Sequence, residues 1–213
     1  MEFSKLAGVA AGAGLATLSG AVFVARPWHQ RWGASDAEVQ RPMAGDDEVR
    51  RPMHVTTRAA TIHATPGEVW PWLAQMGYQR AGLYGYDWID KLMGILDENS
   101  TWEILPEFQR LGVSDVIPMG SEPSWPVIAA EPGRLLVLRI LEPGVDVTWS
   151  YLFEGLDGGR TRLVLRIRTW LEVTPRLIPL LLTMDPGEFF MVRRHRLGIK
   201  ERAEAPARRW AAG

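Results

Sequence analysis

The side chains best suited to binding or chemistry crowd into one glycine-spaced stretch. Tyr84, Tyr86, Asp87 and Trp88 lie almost side by side there. Glycine-spaced aromatics fit poorly inside a regular helix, so we predict a loop that leads into a short helix around Trp88 to Met93. Two hypotheses stay open. The stretch is either a packed lid with internally satisfied hydroxyls, or a pocket wall whose polar groups converge on a ligand.

Two further candidates, His195 and Arg196, lie on the last predicted helix. Arg196 falls among apolar residues, so either its stem packs while its guanidinium reaches solvent or an acid, or it is a cation for a ligand carboxylate or enolate at one end of a cavity. His195 is interpreted as satisfied or solvent-facing rather than as a general base. The other histidines, His29, His54 and His63, have no ligand spacing, so we predict no metal site.

The sequence lacks the residues and motifs that several kinds of catalysis require. The chain has no cysteine, which excludes thiolate nucleophiles and zinc-thiolate sites. It also lacks a nucleophile elbow, a phosphate-binding loop and a dinucleotide fingerprint. We therefore assign no catalytic residues and no cofactor.

A long carboxy-terminal helix is predicted over Asp185 to Ala205. Asp185-Pro186-Gly187-Glu188 has the residue types of a helix start, with a capping acid, a proline at the first position and a glutamate two residues further on. The residues that follow place one mostly apolar face at helical spacing: Phe189, Val192, Arg196, Ile199 and Ala203. Such a face needs an apolar surface to pack against.

That surface is predicted to be an antiparallel sheet. Val145 to Glu154 alternates, with Trp149, Tyr151 and Phe153 on one face. Asp157-Gly158-Gly159 then forms a hairpin turn. The partner strand, Thr161 to Val173, points its leucines inward and its arginines outward. Short turns between strands indicate antiparallel pairing.

A strand from Val55 to Ala64 and a helix begun by Thr65-Pro66-Gly67-Glu68 precede the sheet. Upstream, residues 31–53 are polar and turn-rich. We predict a linker there, with a short helix capped by Ser35 or Asp36 followed by an extended tether. The predicted organisation is thus an anchor at 1–30, a linker at 31–53, a domain at 54–205 and a basic tail at 206–213.

The amino end predicts a membrane segment. Leu6 to Ala25 is free of charge and as a helix would span about 30 Å, the thickness of a hydrocarbon core. An uncleaved anchor is favoured over a cleaved signal or a loosely held helix. Flanking basic residues favour a single-pass protein with its domain on the cytoplasmic side. Trp28 and Trp32 would sit in an interfacial belt or pack onto the domain.

The net charge of the chain limits the kinds of macromolecule that it is expected to bind. The net charge of -1 argues against nucleic acid. The last helix and tail nevertheless carry an excess of basic residues. With an anchor at the other end, contact with anionic lipid headgroups is one hypothesis for this tail, and a solvated helix end is the alternative.

The order of elements and several sequence segments resemble the START-like, Bet v 1-like SRPBCC superfamily, which includes polyketide cyclases and lipid carriers. The resemblance covers residues 31 to 204 through RWGASDAEVQRPMAGDD, VTTRAATIHATPGEVWPWLAQMG, GLYGYDWID and MVRRHRLGIKERAE. It is closest to a bacterial branch whose members often carry an amino-terminal membrane segment. It implies an α+β helix-grip fold, in which a curved antiparallel sheet wraps around a long carboxy-terminal helix.

The resemblance also implies a cavity between sheet and helix, lined by Trp149, Tyr151, Phe153, Phe189 and Val192, with the stretch from Tyr84 to Trp88 near its mouth. On this basis we expect a membrane-tethered binding or carrier protein for a hydrophobic, lipid-like small molecule.

Two alternatives to this expectation remain. One is a cyclase or dehydratase that uses Tyr84, Tyr86, Asp87 or Arg196 as acid–base or oxyanion groups. The other is an interaction module with a filled cavity.

Overall fold

A computed structural model describes residues 27–120, 124–174 and 178–211, with side chains of the last range described for 187–205. Six strands form one antiparallel sheet in the order β1-β6-β5-β4-β3-β2. The strands are β1 His54–Ile62, β2 Val116–Pro118, β3 Ser124–Glu131, β4 Leu135–Glu142, β5 Val145–Leu156 and β6 Arg160–Leu171. The helices are α1 Asp36–Gln40, α2 Pro66–Ala74, α3 Asp87–Leu92 and α4 Ile178–Ala211, with a 3-10 turn at Pro106–Phe108.

The curved antiparallel sheet with a carboxy-terminal helix confirms the predicted helix-grip architecture. β5 and β6 pair over their whole lengths, and β6 pairs with β1, which joins the first strand to the last. The alternation predicted for β5 and β6 is confirmed, because Tyr151, Phe153, Leu163 and Leu165 belong to one buried apolar cluster. Val192 of α4 belongs to the same cluster. The core therefore lies between one face of the sheet and α4.

The start of α2 is the one that local sequence predicts. The backbone N–H and the hydroxyl of Thr65 both donate to the Glu68 carboxylate, at 2.7 and 2.8 Å. This reciprocal cap satisfies amides that the first helical turn leaves unpaired. Pro71 lies inside the helix, which continues to Ala74.

The start of α4 differs from the prediction. The helix begins at Ile178, so Asp185 and Pro186 lie inside it rather than at its end. Glu188 does not form a cap. Its carboxylate accepts hydrogen bonds from Thr56 and Arg58 of β1, at 3.2 and 2.5 Å. Residues that commonly begin a helix do so only where the preceding backbone is not already helical.

The segment predicted as a linker packs on the outer face of the sheet. Ser35 caps α1 with a complete capping box, as predicted. The Glu38 carboxylate then accepts two hydrogen bonds from Arg162 of β6, at 2.6 and 2.8 Å. Glu38 is buried, and these bonds hold its pKa down at about 2, against the opposing effect of burial. The extended tether predicted after α1 is therefore replaced by a chain that contacts the sheet.

Arg166 of β6 carries most of this attachment. Its guanidinium donates to the backbone carbonyls of Glu38, Val39 and Arg41 at 2.8–2.9 Å and to the Asp46 carboxylate at 2.7 Å. The predicted outward direction of the β6 arginines is correct, but Arg166 is buried beneath the amino-terminal segment. Both faces of the sheet are thus covered at this position.

The predicted span Leu6 to Ala25 lies outside the described residues. Within the described ranges, no helix combines the length and apolar character needed to cross a bilayer. This finding contradicts the predicted single-pass membrane location, which is not retained. Trp28 and Trp32 pack on the domain, where their rings lie 5.6 and 6.4 Å from that of Phe189.

Basic residues of α4 also have partners within the domain. The Arg193 guanidinium lies 5.0 Å from the Trp32 ring, and the Arg202 guanidinium lies 4.6 Å from the Tyr84 ring. Arg194 pairs with Glu201 at 2.7 Å. These contacts support neither a solvated helix end nor a lipid-facing surface for this part of the helix. The side chains of the predicted tail, 206–213, lie outside the described residues.

Candidate functional site

A cavity of about 230 Å³ lies between the sheet, α4 and the chain around α3. Its walls are mostly apolar, with thioethers, aliphatic side chains and aromatic rings from all three regions. Met93 is 64% exposed, so the cavity approaches the surface beside it. The sheet and α4 contribute Trp125, Trp149, Tyr151, Met191, Val192 and His195 to the lining.

Aromatic rings build the wall contributed by the sheet. Trp125 of β3 and Trp149 of β5 have ring centroids 5.1 Å apart, and Trp149 lies 6.4 Å from Tyr151 on the same strand. Alternation along β5 puts both of its rings on the inner face. α4 faces them with Met191, Val192 and His195, whose spacing of three and four residues keeps them on one side of the helix.

A buried tyrosine–histidine pair joins this wall to the loop before α3. The Nδ1 of His195 lies 2.6 Å from the Leu83 carbonyl oxygen and can only donate to it. The neutral ring therefore presents Nε2 as an acceptor for the Tyr151 hydroxyl, at 2.9 Å. Burial lowers the pKa of His195 to about 4 and raises that of Tyr151. Both groups are neutral near pH 7.

The carboxyl group of Asp90 lies at the cavity wall without hydrogen-bond donors from the described residues to satisfy it. It is 1% exposed, lines the cavity, and neither carboxyl oxygen has a hydrogen-bond partner within the described part of the chain. Burial and the neighbouring charge of Asp87 raise its pKa to about 6. A buried carboxylate without a partner is costly, and such groups concentrate at functional sites.

Glu188, the second acid on the wall, is compensated from outside the cavity. Arg58 pairs with one of its oxygens at 2.5 Å, and His54 lies 3.3 Å from the other. Burial opposes ionisation of Glu188, but the hydrogen bond from His54 and the charge of Arg58 together hold its pKa below the usual value. Glu188 therefore contributes little uncompensated charge.

Of the predicted cavity residues, Trp149, Tyr151 and Val192 lie on the wall. Phe153 lies deeper in the core, with its ring 5.8 Å from that of Trp70. Phe189 packs instead against the amino-terminal segment of the chain, where its ring contacts those of Trp28, His29 and Trp32. The inner face of the sheet extends beyond the cavity. A side chain on that face therefore does not always line the cavity, as Phe153 shows.

The aromatic stretch before α3 has internal partners, as the packed-lid hypothesis expects. The Tyr84 hydroxyl donates to the Trp72 carbonyl at 2.8 Å, and burial raises the Tyr84 pKa. Asp87 accepts from the Ser100 hydroxyl and amide at 2.6 and 3.2 Å. Tyr86 directly precedes α3, which begins at Asp87, and its side chain forms no capping hydrogen bond. Trp88 is 68% exposed. Leu83 and Gly85, on either side of Tyr84, line the cavity.

Arg196 does not reach solvent. It is fully buried, its guanidinium lies 4.9 Å from the Trp32 ring, and its three nitrogens have no hydrogen-bond partner among the described residues. Burial and the nearby Arg58 charge lower its pKa to about 9. The predicted snorkelling is therefore wrong. Arg196 lies one helical turn beyond Val192, but it is not among the residues that line the cavity.

Sequence reasoning did not single out Asp90 as a wall residue, and it interpreted His195 only as a satisfied or solvent-facing histidine. Asp90 sits at the end of the quoted aromatic stretch and three residues before Met93, a spacing that places both on one side of a short helix. His195 follows Met191 by four residues. A polar residue in register with apolar ones was the available signal in both places.

No protein-family model and no curated protein matches this chain. Several solved structures are similar to this chain. Protein MLL2253 from Mesorhizobium loti is 12% identical with a TM-score of 0.42, covering 71% of this chain and 98% of its own. Norcoclaurine synthase from Thalictrum flavum, solved with a transition-state analogue, is 11% identical with a TM-score of 0.41, covering 72% and 96%. CalU16 from Micromonospora echinospora is 15% identical with a TM-score of 0.34, covering 74% and 86%.

These likenesses concern the path of the chain. At such identities, the chemistry of the cavity has to be argued from its own side chains.

Proposed function

We propose that this protein binds a small hydrophobic molecule in the cavity between the sheet and α4. The observation that carries the proposal is the cavity itself, a void of about 230 Å³ with mostly apolar walls and a few converging polar groups. Sites for small molecules commonly have this composition. An interaction module with a filled interior would not be expected to keep such a void, since packed cores leave few spaces larger than a water molecule.

The volume favours a compact ligand. Pockets for drug-sized molecules usually enclose about 300–1,000 Å³, and this cavity is smaller. A molecule with one or two rings fits these dimensions better than a long acyl or isoprenoid chain. The aromatic rings of Trp125 and Trp149 suit a flat ligand, because offset and edge-on ring contacts stabilise aromatic pairs.

The cyclase or dehydratase alternative finds less support in the groups predicted to serve it. Tyr84 and Asp87 have buried structural partners, and Arg196 does not line the cavity. A general acid or base needs to reach the reacting atom directly or through one water. Binding without turnover is therefore the function we favour.

Isothermal titration of the full chain with 1-naphthalenemethanol, a compact neutral aromatic, tests the proposal. We expect saturable binding to one site. Met191→Trp adds bulk to the wall and is expected to weaken binding at least about tenfold, the effect of roughly 1.4 kcal/mol. Phe190→Trp is the matched control, because the neighbouring Phe190 is 59% exposed.

Equal affinities for wild type and Met191→Trp would place the probe elsewhere and contradict the proposal. Absence of binding to the wild type, including by the amine probe described below, would also contradict it. Circular dichroism of both variants establishes that each is folded.

A further inference from the structure

We infer that the natural ligand carries a protonated amine, which pairs with the carboxylate of Asp90 inside the cavity. The inference rests on the proposed function, because it names the chemical class of the molecule held in the same cavity. The apolar walls account for binding of a hydrophobic molecule, and the pairing with Asp90 adds an electrostatic interaction to it.

The first support is the state of Asp90. Both of its oxygens are buried and without a hydrogen-bond partner among the described residues, although the residue lines the cavity. Removing a carboxylate from water is costly unless another group replaces the lost hydrogen bonds. An ammonium group supplies donors and opposite charge together, and charge-assisted hydrogen bonds are stronger than neutral ones.

The second support is the balance of charge around the cavity. Its described wall includes two acids, Asp90 and Glu188, and neither lysine nor arginine. Arg58 already compensates Glu188, so Asp90 supplies the uncompensated charge. His195 is held neutral by burial and adds no positive charge. The guanidinium of Arg196, which has no hydrogen-bond partner among the described residues, lies beside Trp32 and does not line the cavity. A cationic group inside the cavity would therefore be attracted to the Asp90 carboxylate.

The third support is the aromatic wall opposite the helix. Trp125, Trp149 and Tyr151 line the same cavity as Asp90. The negative faces of aromatic rings attract ammonium groups, and tryptophan does so most strongly. A carboxylate combined with aromatic faces suits an organic amine better than a neutral hydrocarbon.

Local backbone geometry keeps space beside this carboxylate. A Cβ added to Gly85 would lie 2.8 Å from the Oδ2 of Asp90. The glycine therefore leaves room where another residue would crowd the oxygen. Gly85 lines the cavity as well, so this room lies at its wall.

The test compares two probes of matched shape, 1-naphthalenemethylamine and 1-naphthalenemethanol, by titration near about pH 7.5, where Asp90 is charged. We expect the full chain to bind the amine at least about tenfold more tightly than the alcohol, as a hydrogen bond to a charged group implies. Asp90→Asn should reduce this preference to about twofold or less, because the asparagine carries no charge to pair with the ammonium group. Asp97→Asn, which removes an exposed carboxylate from the neighbouring loop, should keep the preference.

Equal affinities of the wild type for the two probes would overturn the inference and leave the proposed function standing. A preference that survives in Asp90→Asn would also overturn it, because the amine would then pair with another group. Failure of both probes to bind would instead reject the proposed function. Thermal unfolding of each variant establishes that the titrated protein is folded.

Discussion

Asp90 links function to stability at the level of a single residue. Its folded-state pKa of about 6 exceeds its ordinary value of 3.8, so the folded protein binds this proton more tightly than the unfolded chain. The corresponding stabilisation is complete below the unfolded-state pKa and is lost as pH rises through about 6. Near neutral pH the empty cavity therefore contains a destabilising charge. Proteins often keep such groups at sites where a ligand uses them.

Asp90→Asn should reveal this cost. The unfolding free energy of the variant relative to wild type is expected to increase by up to about 2.5 kcal/mol between about pH 4 and pH 7.5, since the asparagine cannot ionise. Urea denaturation at the two pH values measures the change. His195, with its pKa lowered to about 4, affects both proteins equally and cancels in the comparison. A difference that does not vary with pH would contradict the prediction.

The contact between α4 and the loop before α3 shapes the site at the level of elements. A Cβ on Gly198 would lie 2.1 Å from the Tyr84 carbonyl oxygen, so the helix and the loop touch there through backbone atoms. Tyr84 itself adopts a left-handed conformation, with φ +58. Arg202 reinforces the contact by donating to the carbonyls of Thr101 and Ser100, at 2.6 and 3.3 Å. The wall residues Leu83 and Gly85 are positioned by this contact.

Gly198→Ala is expected to destabilise the protein by about 2 kcal/mol or more, because the methyl group forces the loop away from the helix. It should also weaken binding of 1-naphthalenemethanol. Gly187→Ala is the matched control on the same helix, since a Cβ there meets nothing within 4 Å. That control should gain up to about 1 kcal/mol from the higher helix propensity of alanine. Urea denaturation of both variants measures the contrast, and equal effects would contradict it.

At the scale of the whole molecule, the amino-terminal segment and the sheet behave as one packed unit. Arg139, Arg162 and Arg166 reach from three positions on β4 and β6 to residues between Gly33 and Glu48. Arg166 is the most buried of these three attachments. Its planar guanidinium satisfies carbonyls and a carboxylate in different directions at once, which a lysine ammonium does not reproduce.

Arg166→Lys should therefore destabilise the protein by at least about 2 kcal/mol, because buried backbone carbonyls lose their donors. The melting temperature measures this loss. Arg134→Lys, at a side chain that is 72% exposed, is expected to change it little. A small effect of Arg166→Lys would show that the segment is not an integral part of the folded unit.

Local patterns were sufficient for much of the architecture. The capping box at Thr65, the alternation along β5 and the hairpin turn after it each depend on residues a few positions apart. These signals predicted the positions of β1, β5 and β6, the antiparallel pairing of the sheet and the covering helix. The start of α4 was misplaced because the same residue types occur at Asp185 inside a helix that was already under way.

The sequence by itself thus determined the strands β1, β5 and β6, the cap of α2 and the inward face of β5 and β6, since periodicity and capping are local properties. Only the tertiary structure decided that Asp90, Tyr151 and His195 share one cavity while Phe153 and Arg196 do not line it. The cavity forms where β5, α4 and the chain around α3 converge from distant parts of the sequence. Burial and missing partners, which make Asp90 a candidate site, arise from that convergence and leave no trace in local spacing.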